Sequence, residues 1–130
     1  MAFLDEKGLA FLWQKISDKF GAKQIDDFAT LNSPFQIMFS KAQKVDKQVH
    51  FSMDIYIGSS FISGYTYTIG TVASSCRPVS AELGTGHSTD MNVSPKGTVT
   101  WIIETNGELK INLQSTDGAY VFISGSYMCA

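Results

Sequence analysis

The chain has 130 residues, of which 44% are hydrophobic and 17% charged, so it can bury one core but is too short for two. Its net charge of −2 is unevenly placed: residues 1–48 carry seven lysines against six acids, whereas residues 49–130 carry two lysines, one arginine and six acids. A charge-poor, slightly acidic second half argues against a nucleic-acid-binding surface, which needs clustered cations.

The N-terminal residues are not expected to form a targeting signal. The opening MAFLDEKGLAFLW places Asp5 and Glu6 where a secretory signal needs positive charge, and no run of about 18 apolar residues follows anywhere. We therefore expect a soluble protein made in the cytoplasm, without membrane insertion. In that setting Cys76 and Cys129 are expected to be free thiols rather than a disulfide.

Residues 1–22 are predicted to form a short amphipathic helix. Asp5 can cap its start and Gly21 its end. Its apolar residues recur at three- and four-residue steps, namely Leu9, Leu12, Trp13, Ile16 and Phe20. A helix of roughly four turns needs a surface to lie on, which is either the rest of the chain or copies of itself in an oligomer. Residues 23–34 are predicted to be a connector.

Residues 35–130 are predicted to form an antiparallel β domain. The period changes to two, most clearly where Val49, Phe51, Met53, Ile55 and Ile57 alternate with polar neighbours. Further strands are predicted at residues 35–40, 65–72, 79–83, 99–103, 109–113 and 120–124, separated by turn-forming residues. This succession of short strands and turns predicts a mainly β fold, namely an antiparallel sandwich or small barrel that follows one N-terminal helix.

The Asn106-Gly107 pair predicts a two-residue hairpin turn with Thr105 opposite Glu108. In that register the inward face holds Thr100, Ile102, Leu109, Ile111 and Leu113. Val99, Trp101 and Ile103 then lie on the other face, where an apolar strip requires a cover. Either another part of the same chain or a like chain can supply that cover.

The sequence offers no catalytic, metal or cofactor motif, so we expect a non-enzymatic protein without cofactors. His50 and His87 lack a second ligand at a metal-binding spacing, and no nucleotide-binding glycine motif is present. The segment 84–90 is predicted to be a polar loop. It can present His87 and Asp90 to a ligand, although a loop of this composition needs no function to exist.

The aromatic residues suggest a saccharide site, because sugars have apolar faces that stack on flat rings. The candidates are Tyr56, Tyr65, Tyr67, Trp101 and Tyr120. Tyrosine and tryptophan are also ordinary core and interface residues, so each of them has a structural alternative.

Three segments resemble phage and prophage tail or fibre proteins of Gram-positive bacteria. They are the leader FLDEKGLAFLWQKISDKF, the Arg-Pro element IGTVASSCRPVSAELG, and the closing pair VSPKGTVTWII and GAYVFISGSYM. The chain departs from the family in having Ser75-Cys76 before Arg77-Pro78, where members often have Gly followed by Tyr or Phe. Arg77 is expected either to tether a turn or an inter-subunit contact, or to grip an anionic group on a glycan.

The resemblance implies a homotrimeric receptor-binding tip that recognises saccharides or teichoic-acid-like polymers on a bacterial surface. Its other partners would be tail and baseplate proteins, and its location the virion tail, assembled in the host cytoplasm. The glycan-binding candidates are Tyr65, Tyr67, His87, Asp90 and Trp101. The oligomer-interface candidates are Leu12, Trp13, Ile16, Val99 and Ile103.

Two other functions compete with receptor binding. One is an architectural baseplate protein that uses the same fold without a ligand. The other is a polysaccharide-degrading tail enzyme, which is disfavoured because no two acids of the second half are marked as a catalytic pair.

Overall fold

The structure is a computed structural model that describes residues 8, 22–58, 62–114 and 119–130. Within these residues, nine antiparallel strands form one sheet in the order β1-β3-β4-β9-β6-β7-β8-β5-β2. The predicted mainly β class is confirmed. The strands are β1 (Ala22–Ile25), β2 (Ala29–Leu31), β3 (Gln36–Val45), β4 (Gln48–Tyr56), β5 (Thr66–Val72), β6 (Glu82–Thr89), β7 (Pro95–Ile103), β8 (Glu108–Leu113) and β9 (Tyr120–Met128), with a 3₁₀ turn at Ser74–Cys76.

The N-terminal part of the chain differs from its prediction where it can be compared. The helix predicted for residues 1–22 lies outside the described residues, apart from Gly8 and Ala22, and stays a prediction. The predicted connector 23–34 contains β2 and most of β1, which form the two edges of the sheet. Strands of four and three residues are too short to show a period of two, which is why the sequence pattern missed them.

The sheet is strongly curled into a half-barrel. The rings of Phe51 on β4 and Trp101 on β7 have centroids 5.1 Å apart, although β9 and β6 lie between these strands. In a flat sheet the same strands would be about 14 Å apart. The curl therefore brings side chains from separated strands together on the concave side, where the core lies.

Trp101 occupies the centre of this concave side. Gly84 lies opposite it on β6, and a Cβ atom at Gly84 would overlap the indole ring. A Cβ atom at Gly125 on β9 would come within 2.6 Å of Cζ2 of the same ring. Both positions must be glycine for the indole to cross these strands and reach Phe51, whose ring stacks on Phe28 at 5.1 Å.

The register predicted for the β7–β8 hairpin is wrong by one residue. The loop contains three residues, 105–107, with Gly107 at φ 92°, and the Glu104 amide donates to the Glu108 carbonyl at 2.9 Å. A one-residue slip moves a whole strand to the other face. The predicted exposed strip is accordingly core, with exposed fractions of 0% for Val99, 3% for Trp101 and 0% for Ile103.

The polar loop predicted at residues 84–90 is also wrong, because β6 continues to Thr89. Its glycines favour a loop when read from sequence alone. In the structure, Gly84 makes room for Trp101, and a Cβ atom at Gly86 would overlap the carbonyl of Phe122 on β9. These glycines permit close approach between neighbouring strands, and His87 consequently lies on a strand.

Cys76 and Cys129 are both buried free thiols. The hydroxyl of Tyr127 donates to the Cys76 carbonyl at 2.5 Å, and burial raises the pKa of Tyr127 well above its usual range.

Among the described residues, no helix has the length and apolar character needed to span a membrane.

We expect Gly125→Ala to lower the free energy of unfolding by about 1–3 kcal/mol, because the added methyl overlaps Trp101. Urea unfolding measures the loss. Ser126→Ala, at an exposed neighbouring position, is the control and should stay within about 0.5 kcal/mol of the parent.

In a Trp101→Phe background, the smaller phenyl ring lacks the indole atoms that the added methyl at position 125 overlaps. The double variant should therefore be more stable than the sum of the single losses predicts, by about 1 kcal/mol. Strict additivity of the two losses would contradict the proposed contact.

Candidate binding face on the outside of the sheet

The convex side of the half-barrel carries a row of side chains from four adjacent strands. Asp54 lies between the buried residues Met53 and Ile55, so its side chain points away from the core. The strand register places Phe39 opposite Asp54 on one side and Phe122 opposite it on the other. His87 in turn lies opposite Phe122.

A second row lies beside the first, nearer the end of β4. Tyr56 is the partner of Tyr120, and their ring centroids are 5.6 Å apart with the planes tilted by 60°. We call the two rows together the outer aromatic face, which consists of Phe39, Asp54, Tyr56, His87, Tyr120 and Phe122. Directly paired positions on one side of a sheet have Cβ atoms about 5 Å apart, so these side chains form one continuous surface.

The outer aromatic face is open to solvent in the described part of the chain. Phe39 is 52% exposed, and Tyr56, Phe122 and Tyr120 are half-buried. A polar row, Lys41, Ser52 and Ser124, follows on the same side. Next to it is a groove of about 190 Å³ lined by Lys41, Ala42, Gln43, His50, Phe51 and Ser52.

Asp54 is the charged group of the first row. Its carboxylate is half-buried and has no hydrogen bond or ion pair with any residue that the structure describes. Burial raises the pKa of the Asp54 carboxyl above its usual value. The face therefore combines exposed and half-buried aromatic rings with a carboxylate that no described residue engages.

Tyr65 and Tyr67 form a second aromatic pair at some distance from this face. Their centroids are 4.8 Å apart in an edge-on arrangement, and the Ile62 amide donates to the Tyr67 hydroxyl at 2.9 Å. Asn112 donates to the Gly64 carbonyl at 2.9 Å and so ties down the preceding turn. In the sheet, β7 and β8 separate this pair from His87.

Asp90 is engaged in organising a turn. Its carboxylate accepts hydrogen bonds from the amides of Asn92 and Ser94, both at 2.9 Å, and lies 3.8 Å from the Lys96 ammonium. The bond from Ser94 is the main reason why the pKa of Asp90 lies below its usual value. The bonds hold a turn in which Val93 adopts φ 62°, a conformation that β-branched residues rarely adopt.

The predicted ligand residues therefore separate in the structure. His87 joins the outer aromatic face, Tyr65 and Tyr67 form their own pair, Asp90 holds a turn, and Trp101 is buried in the core. The prediction missed Phe39, Asp54 and Phe122. The alternation of β4 already directs Asp54 outward, but the two phenylalanines are found only from the strand register.

The predicted interface residues fall into two groups. Leu12, Trp13 and Ile16 lie outside the described residues, whereas Val99 and Ile103 are buried within the chain. Exposed apolar side chains occur instead at Val79 (63%), Leu83 (64%) and Met128 (51%). The Val79 amide donates to the Met128 carbonyl at 3.1 Å, so at least two of the three are adjacent.

Arg77 lies beside the β7–β8 turn. A Cβ atom at Gly107 would be 3.2 Å from the Arg77 Nε atom. The Arg77 carbonyl accepts a hydrogen bond from the Ala130 amide at 2.9 Å. Both expected roles of Arg77, tethering and anion binding, stay predictions.

A larger cleft of about 650 Å³ lies between the β1–β2 turn and β3. Its lining among the described residues has charges of both signs and no aromatic ring, with Lys23, Gln24, Ile25, Asp26, Asp27, Lys44, Asp46 and Ser75. It offers no platform on which a sugar can stack. Among the described residues, no group of three or more His, Cys, Asp or Glu side chains is placed to hold a metal ion.

No protein-family description and no curated protein matches the sequence. The structure is similar to the crystal structure of the receptor binding protein (gp15) of Listeria phage PSA, with a TM-score of 0.64 and 14% sequence identity. The likeness covers 96% of this chain and 75% of the phage protein. The chain has a phage receptor-binding-like fold. Since the identity is low, the likeness concerns the fold.

The raised pKa of Asp54 predicts a pH-dependent effect of Asp54→Asn. Folding favours the protonated carboxyl, so Asp54 reduces stability progressively as pH rises from 3.8 through its raised pKa. At pH 7, Asp54→Asn should therefore be more stable than the parent by up to about 1 kcal/mol, and at pH 3 the difference should vanish. Urea unfolding at about pH 3 and 7 measures both differences.

Asp90→Asn is the control of opposite sign. The pKa of Asp90 is lowered, so its carboxylate contributes stability above pH 3.8 that is lost as pH falls. This variant should be less stable than the parent at pH 7. An Asp54→Asn difference of equal size at both pH values would show that burial of the charge is not its cause.

Proposed function

We propose that this chain is the receptor-binding tip of a phage or phage-like tail and that it binds a host cell-surface saccharide through the outer aromatic face. The observation that carries the proposal is an open aromatic surface, on a receptor-binding-like fold, with a carboxylate that has no partner among the residues the structure describes. The fold alone does not determine a function, so the proposal rests on the face.

The chemistry of the face suits a saccharide. Apolar C–H faces of a sugar ring can lie on Phe39 and on the Tyr56–Tyr120 pair, while sugar hydroxyls donate to the Asp54 carboxylate and exchange hydrogen bonds with His87. Few polar groups set among aromatic surfaces are typical of ligand sites that need orientation as well as contact area. Each contact is small, so a single site would bind weakly.

We also propose that the protein acts as a homotrimer in the virion tail, next to other tail and baseplate proteins. Exposed apolar side chains at Val79, Leu83 and Met128 are surfaces that like chains can cover. Three weak sites on one particle would raise the avidity for a repetitive wall polymer.

The proposed activity is binding without catalysis. Hydrolysis of a glycosidic bond ordinarily requires two carboxyl groups facing each other across the substrate. In the described rows of the outer aromatic face, Asp54 is the one carboxylate, and its row partners are Phe39 and Phe122.

The alternative is an architectural tail protein in which this face packs against another tail component. Pull-down of purified protein with host cell walls separates the two functions. Binding to walls supports receptor recognition. If the intact oligomer binds none of the host polysaccharides, the architectural function is favoured.

Phe39→Ser should lower the affinity for host cell walls at least about tenfold, because it removes the most exposed ring of the face. Met91→Ser is the matched control, since Met91 is 63% exposed but lies in the β6–β7 turn. Equal losses in the two variants would remove the outer aromatic face from the proposal.

Light scattering tests the trimer. We expect the mass of three chains for the parent and a shift towards monomer for Val79→Asp/Leu83→Asp, because buried unpaired charges oppose association. Met91→Asp should leave the mass unchanged. A monomeric parent protein at micromolar concentration would contradict the trimer.

A further inference from the structure

Asp54 is surrounded by aromatic rings on its own side of the sheet. Phe39 and Phe122 are its direct partners on the two neighbouring strands. Tyr56, two residues along β4, points to the same side. A group that reaches the Asp54 carboxylate therefore passes between aromatic side chains.

No lysine or arginine in the described part of the chain lies within ion-pair distance of the carboxylate. Lys41 lies one row away on the same side of the sheet, but its ammonium is not within 4.0 Å of Asp54. By contrast, Asp90, Glu104 and Glu108 all have a lysine within 3.8 Å. A half-buried carboxylate without a partner is unfavourable in the unliganded protein and is relieved when a cation binds.

Aromatic rings and a carboxylate attract the same kind of ligand group. The face of an aromatic ring carries negative electrostatic potential and attracts cations, and a carboxylate forms short hydrogen bonds with an ammonium group. A phosphate or a uronic acid would be repelled by Asp54, and an N-acetylated sugar would offer it only neutral hydroxyl and amide donors, which bond a carboxylate more weakly than an ammonium does. A neutral hydroxyl would form a weaker bond.

We propose that the outer aromatic face selects a protonated amine, so that the saccharide recognised is one with free amino groups. This inference rests on the proposed function and names the substrate class of the same site. The ammonium donates to Asp54 while Phe39 and Phe122 flank it, and the sugar ring extends over Tyr56 and Tyr120.

Calorimetric titration of the full chain with two soluble probes tests the inference. The probes are a trimer of glucosamine, which carries ammonium groups, and the same trimer fully N-acetylated. We expect the glucosamine trimer to bind at least about tenfold more tightly. Equal affinities, or tighter binding of the acetylated trimer, would overturn the inference.

Two matched variants locate the effect. Asp54→Asn keeps the shape of the side chain and removes its charge, and should weaken binding of the glucosamine trimer at least about tenfold. Asp27→Asn removes the same charge from an exposed position in the β1–β2 turn and should bind like the parent. Equal weakening in both variants would indicate general charge attraction and would contradict a site at Asp54.

A wall-binding experiment distinguishes failure of this inference from failure of the proposed function. Host wall polysaccharide is tested before and after its amines are acetylated with acetic anhydride, and we expect acetylation to abolish binding. Undiminished binding after acetylation would overturn the amine inference and leave receptor binding standing. Absence of binding to either form would overturn receptor binding. The titrations with the glucosamine trimer and its N-acetylated form would still decide whether Asp54 binds an amine.

Discussion

The contact of Trp101 with Gly84 and Gly125 is the constraint on which the rest of the structure depends. Because neither glycine has a side chain, the indole can cross β6 and β9 and meet Phe51 on β4. That contact requires the nine-stranded sheet to curl. The buried indole Nε1 finds no hydrogen-bond partner among the described residues, so packing rather than polar bonding holds the ring.

The curl also decides which residues can meet a ligand. Once the concave side is filled by Trp101, Phe51 and their neighbours, the alternate residues of β3, β4, β9 and β6 must face outward. Aromatic side chains on that side point away from the core. The sheet therefore gathers Phe39, Phe122 and the Tyr56–Tyr120 pair around Asp54 on one surface. Fold and candidate site are two consequences of the same alternation.

Local sequence patterns predicted much of this fold and little of the site. The alternation from Val49 to Ile57 is strong, so β4 and its inward face were predicted correctly. The β7–β8 hairpin failed because Asn-Gly occurs in both two-residue and three-residue turns, and the difference of one residue reverses the face on which Trp101 lies. The glycines of β6 wrongly predicted a loop for a similar reason. Gly84 makes room for the Trp101 ring on another strand, and that contact is not visible in the local sequence.

The site depends on pairing between residues far apart in sequence. Phe39, Asp54 and Phe122 come from three strands, and a β-bulge between Ile37 and Phe39 shifts the register just before the first of them. No short motif contains that information. The exposed apolar residues Val79, Leu83 and Met128 were likewise not marked by a pattern, although they are the surfaces on which the proposed trimer now depends.

Mapping of the bound saccharide by nuclear magnetic resonance tests the central claim most directly. Host wall oligosaccharide is added to isotope-labelled protein, and the shifts of backbone amides and of the Trp101 indole N–H are followed. We expect shifts concentrated at Phe39, Asp54 and Phe122, with the buried indole unmoved. Shifts centred on Tyr65 and Tyr67, or a saccharide that binds while the outer aromatic face stays silent, would contradict it.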